Sequence, residues 1–174
     1  MDLYRTLFDF IDMRSFSNLW YWIVLAVVWS STSHWVLGIP HDMIIRARRE
    51  GGQAQEDLED LARINAGRIL AVVNASAIWL VALACFWLTI LVVLGFYYWI
   101  EFAQAVFLIM CPMMVVVWLS VRCARRIEGG ENAGAALFQL LNRQRLATQI
   151  IGMVAISVTA MWGMWQNFNL SVLR

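Results

Sequence analysis

Thirty-two uncharged residues in a row, Ile69 to Ile100, separate Arg68 from Glu101, and a second uncharged run, Phe102 to Val121, follows before Arg122. A helix needs about 20 apolar residues to cross a hydrocarbon core roughly 30 Å thick. Thirty-two helical residues would measure about 48 Å, too long for one upright crossing. Gly95 and the aromatic cluster Phe96, Tyr97, Tyr98 and Trp99 suit a helix end and a tight interfacial turn. The pattern therefore predicts one span closing near Gly95 and the next starting near Glu101. Two more apolar runs flank this pair: Phe16 to Gly38, closed by Pro40, and Leu146 to about Trp165. Of the 174 residues 61% are apolar and only 14% charged, where a soluble domain carries about a quarter charged. That excludes a disordered chain and leaves little material for a large water-facing domain. The net charge of +1 offers no bulk attraction for nucleic acid.

The expected fold is an all-α integral membrane protein of a single domain. Four transmembrane helices, at about 16–38, 69–95, 102–121 and 146–165, form two hairpins with cytoplasmic helical extensions in the loops 39–68 and 122–145. The first run is read as a retained span. The segment before it carries Asp2, Arg5, Asp9, Asp12 and Arg14, whereas a signal peptide has a positive n-region and a shorter apolar core. Residues 1–14 alternate apolar and polar positions with a helical period, which predicts a short amphipathic helix on the outer surface.

All thirteen basic residues are arginine, and their positions orient the bundle. Loop 39–68 holds Arg46, Arg48, Arg49, Arg63 and Arg68, and loop 122–145 holds Arg122, Arg125, Arg126, Arg143 and Arg145. Ten against three near the span ends places both loops in the cytoplasm and both termini outside. Each loop runs through an arginine cluster, a glutamate and two glycines (Gly51 and Gly52, then Gly129 and Gly130) into an amphipathic helix. Duplication of a hairpin explains the likeness, as does positive-inside pressure combined with glycine helix stops. Downstream of Gly52, four acids among residues 56–60 favour the helix start, and Glu59 and Arg63 form an i,i+4 pair.

Chemistry is sparse. Cys85, Cys111 and Cys123 are scattered with no CxxC, so no zinc or iron–sulfur ligand set is signalled. His34 and His41 lie near the inner end of the first span rather than deep in the bilayer, as a haem ligand would. Met110, Met113 and Met114 around Cys111 and Pro112 offer soft sulfur of the kind that suits Cu(I), but methionine also fills irregular apolar gaps. No metal or cofactor and no catalytic residue is assigned. The spans carry no acid or arginine between the arginine fringe and Glu101, and their interior polar set is read as Ser30, Ser31, Thr32, Ser33, Asn74, Ser76, Thr89, Ser157 and Thr159. These bond between helices or, in an assembly of several chains, line a pore. Ala155, Thr159 and Gly163 form a small-residue helix-packing face.

Several stretches resemble a family of uncharacterised small membrane proteins of alphaproteobacteria: Leu7 to Trp22, Ser33 to Gly38, Glu101 to Leu108 and Trp162 to Asn167. Members are often labelled components of the SufBCD iron–sulfur assembly complex. The resemblance implies a bacterial inner membrane and a protein partner; the arginine count then makes both termini periplasmic. The resemblance supplies no catalytic motif, and a cluster scaffold needs paired thiolates that this chain lacks. The expected function is a non-catalytic accessory or scaffold protein. Arg46, Arg48, Arg49, Arg122, Arg125 and Arg126 would bind anionic lipid headgroups and a membrane-protein partner or a second copy. The alternative is a homo-oligomeric channel or small-solute carrier lined by Ser, Thr and Asn.

Overall fold

A computed structural model describes Phe16 and residues 18–172, with side chains through Phe168; the interfacial helix expected at 1–14 lies outside the described residues. The described residues are helical almost throughout. Among the described residues the α-helices are α1 (Leu19–His34), α2 (His41–Glu50), α3 (Gly52–Val92), α4 (Glu101–Glu128) and α5 (Gly134–Val172). Three of them, α3, α4 and α5, are long and apolar enough to cross a membrane.

The first apolar run does not stay helical to Gly38. Asn18 starts α1 by accepting the Trp20 N–H at 3.0 Å, and the helix closes after 16 residues. Trp35 and Val36 then pair antiparallel with Pro40 and Ile39. Leu37 and Gly38 make the reversal with φ of 52° and 73°, the double left-handed geometry that suits a two-residue hairpin turn. Leu37 accepts that geometry because its side chain and those of Val36 and Ile39 are buried.

α3 bends at Ser76, whose φ and ψ of −134° and 15° leave the helical region, and it runs into a π-helical turn at Val93–Tyr97. Gly95 sits inside that turn rather than ending the helix. A Cβ there would lie 3.1 Å from both Cγ and the backbone nitrogen of Gln104, so its role is close approach of α4. Trp99, at φ 57°, carries the reversal. α4 begins at Glu101, and Pro112 lies within it without ending it.

The arginine-bearing segments differ in build. The first cluster rides on the separate helix α2, while the second continues α4 directly. Gly51 and Gly52 have φ of 63° and 50°, whereas Gly129 is at −74° and only Gly130 is positive at 114°. The two glycine turns are thus not copies of one geometry. Glu59 does not pair with Arg63, whose partner is Asp60. Instead, Glu59 Oε1 accepts the Gly134 N–H at 2.8 Å and the Gln55 amide at 2.7 Å. The Gly134 N–H and then Gln55 hold its carboxyl below the usual range. An acid on α3 thereby caps the start of α5.

Two apolar clusters hold the helices. The larger joins the hairpin, α2, the charged half of α3, the end of α4 and the start of α5 through residues such as Ile39, Ala47, Leu58, Ala62, Ala124, Ile127 and Leu141. The smaller joins α1, α4 and α5 through Leu25, Trp29, Val116 and Ala155. Between Leu70 and Leu91, both buried, no residue of α3 is buried within the chain.

Candidate functional site

The arginines reach one end of the molecule because three amphipathic segments bury their apolar stripes together. Ile44 and Ala47 of α2, Cys123, Ala124 and Ile127 of α4, and Leu137, Leu140 and Leu141 of α5 face the common cluster. Their helical spacing leaves Arg46, Arg48, Arg49, Arg122, Arg125 and Arg126 exposed on the opposite faces. Arg48 lines a cleft with Phe138, Gln139 and Asn142 of α5, and Arg126 lines another with Gln139, Leu140 and Arg143. Gln139 borders both clefts, so the two clusters flank the start of α5.

Several of these side chains are already engaged. Arg46 Nε donates to Glu50 at 2.9 Å, with both side chains more than half exposed. Arg126 is held from two nitrogens, its Nε and Nη2 donating to Glu131 at 2.9 and 2.8 Å. The Arg122 guanidinium lies 5.7 Å above the Trp118 ring. Exposed pairs of this kind contribute little to stability, which leaves their charge available for recognition.

Beneath this face, Arg145 Nη1 donates to His41 Nε2 at 2.6 Å. That bond assigns a neutral imidazole with its proton on Nδ1. Burial, and then the Arg145 charge, hold His41 below the usual histidine value, with His34 adding slightly and Asp42 opposing. A histidine whose folded pKa is depressed stabilises the fold above its unfolded pKa of about 6.5. That contribution is lost as the pH falls through the folded value. The thermal midpoint in detergent should therefore drop between pH 7.5 and pH 5. His41→Gln, which accepts the same bond without titrating, should flatten that part of the profile.

The opposite end of the spans carries a polar network. Gln104, fully buried, donates through Nε2 to the Gly95 carbonyl at 2.7 Å. Its Oε1 accepts from Trp162 Nε1 at 3.0 Å and from the Gln166 amide. Glu101 accepts the Phe16 N–H at 2.7 Å, and the Tyr21 hydroxyl donates to the Ala105 carbonyl. Gln104 was absent from the interior polar groups expected from sequence, as were Gln144 and Thr148, which are also buried. An amide within an apolar run was the available signal.

Three of the expected hydroxyl groups are engaged within their own helices. Thr32, Thr89 and Thr159 each donate to the carbonyl four residues back in their own helix. The small-residue face of α5 is occupied within the chain rather than left for a partner. Ala155, Thr159 and Gly163 are buried, and a Cβ on Gly163 would lie 3.2 Å from the Phe16 ring. Cys85 and Cys111 are exposed and Cys123 is buried. Among the described residues, no three His, Cys, Asp or Glu side chains gather in a metal-binding arrangement. Searches of family models, curated proteins and solved structures return no match to this chain, so the functional reading rests on the arginine-bearing end itself.

Proposed function

We propose that the chain is a non-catalytic accessory protein of a bacterial inner membrane that docks other membrane or peripheral proteins on its arginine-rich cytoplasmic end. The observation that carries this reading is the exposure of both clusters, Arg46, Arg48 and Arg49 with Arg122, Arg125 and Arg126, around the start of one helix over a packed apolar core. A guanidinium-rich face on a fixed scaffold suits acidic protein surfaces and anionic headgroups. In this reading α1 is a fourth crossing. Its 16 residues measure about 24 Å, short for the bilayer, and local thinning accommodates such a helix. Both termini then face the periplasm.

The test is gentle extraction and cross-linking, followed by mass spectrometry of co-migrating proteins. The wild type should carry a reproducible partner that a variant with all six arginines changed to glutamine loses. An iron–sulfur assembly component among those proteins would link the chain to the label of the family it resembles. A partner-free homo-oligomer that passes ions in liposomes would replace this reading with the channel. In the same preparation, an impermeant thiol reagent should reach a cysteine placed at position 51 only from the cytoplasmic side, and one at position 170 only from the periplasmic side.

A further inference from the structure

We infer that the groove between α4 and α5 at the arginine end is a binding site for a phosphate oxyanion, presented as the headgroup of an anionic phospholipid or as a free phosphate. It deepens the reading above and rests on it only for the placement of this end against the inner leaflet. The groove encloses about 220 Å³ and is lined by Arg122 and Arg126 from α4 and by Arg143, Gln144 and Ala147 from α5, with Leu119 on its apolar side. Arg122 and Arg126 stand one helical turn apart on the same face of α4, and Arg143 comes from the helix packed against it. Arg143 was not among the arginines the sequence singled out for binding.

Electrostatics favours an anion there. The lining brings three guanidinium groups to one groove, and Glu131, bonded to Arg126 in the adjoining cleft, supplies one carboxylate. Three positive charges less one negative leaves +2 at the site. Gln144, almost fully buried, adds a polar wall and donates to Ser120 at 3.3 Å. The Arg122 guanidinium lies over the Trp118 ring, a cation–π contact that leaves its N–H groups for an acceptor. Planar forks of this kind match phosphate oxygens in pairs.

The groove also passes from apolar to charged lining. Leu119 and Ala147 lie within the apolar spans, while Arg122, Arg126 and Arg143 lie just outside them. That order reproduces the polarity of a phospholipid, with acyl chains towards the membrane and phosphodiester towards the water.

The test uses the full chain in detergent with native mass spectrometry, titrating phosphatidylglycerol and phosphatidylcholine. Wild type should retain phosphatidylglycerol in preference to phosphatidylcholine. At about 1 kcal/mol per charge, each of Arg122→Gln and Arg143→Gln should weaken that binding about fivefold. The triple change with Arg126→Gln should weaken it about a hundredfold. Arg122→Gln leaves the Arg126–Glu131 pair intact, so it remains informative if the triple variant unfolds. Changing Arg46, Arg48 and Arg49 to glutamine, outside the groove, should weaken lipid retention far less than the triple groove change. Displacement by millimolar inorganic phosphate assigns the site to a free phosphate, and retention against it assigns the site to the lipid. The inference is overturned if wild type shows no preference between the lipids, or if the Arg46, Arg48 and Arg49 variant loses as much binding as the groove variant. A protein that captures no partner yet keeps the preference fails only the docking reading.

Discussion

Replacing Gln104 with leucine should destabilise the fold by about 3 kcal/mol, read as a lower thermal midpoint in detergent with helix content retained below the transition. Leucine has a similar volume, so the loss would come from hydrogen bonding. Trp162 Nε1, the Gln166 amide and the Gly95 carbonyl all lose their partner at once, in a position with no exposed surface. Unsatisfied buried groups cost more than a made bond contributes. Gln166→Leu removes a single donor and should cost only about 0.6 kcal/mol, the average for a hydrogen bond between membrane helices. Equal effects from the two substitutions would show that Gln104 is not the hub. Because Gly95 lets α4 approach this closely, Gly95→Ala should reproduce part of the Gln104→Leu loss without removing a polar side chain.

The second large effect is expected at Gly152. A Cβ at this position would lie 2.8 Å from the Trp29 ring, closer than real contacts allow, and Trp29 is itself buried with Leu25 and Ala155. Gly152→Leu should therefore push α1 off α5 and cost about 3 kcal/mol, at the upper end of overpacking penalties. Trp29→Ala alone should cost about 3–5 kcal/mol through the cavity it leaves. The double variant should be less unstable than the sum, because leucine fills space the indole vacates. Unfolding of all three variants in one detergent closes the cycle. Strict additivity would mean that the two residues do not meet.

What the sequence made legible was whatever depends on runs and short-range periods. The start of a helix at Glu101, the breaks at the two glycine pairs and the inward leucines of the extensions are all local patterns. The reversal at Leu37 and Gly38 was hidden because Trp35 to Ile39 reads as uninterrupted apolar chain, and burial of Val36, Leu37 and Ile39 favours the departure from helix. Glu59 looked like the partner of Arg63 because i,i+4 spacing invites that pair. The competing group, the Gly134 N–H, is 75 positions away and has no sequence signature. Gln104 and Arg143 were passed over for a related reason. Each lies near the end of an apolar run, where a polar side chain reads as solvated. Gln104 gains its importance from side chains on α5, and Arg143 from side chains on α4.

The placement proposed above puts the two apolar clusters in different solvents. In the proposed placement, the larger one, with Leu58, Ala124 and Leu141 at its centre, is surrounded by water and assembles under the full hydrophobic effect. The smaller one, around Trp29, lies among lipid tails that are as apolar as itself, so only close packing and hydrogen bonds hold it. Urea acts on groups exposed to water and would attack the first cluster before the second. Loss of the water-facing clamp would free α2 and the amphipathic starts of α3 and α5, while the crossings keep their backbone bonds. In that placement, the order of helices in the membrane is keyed from outside it.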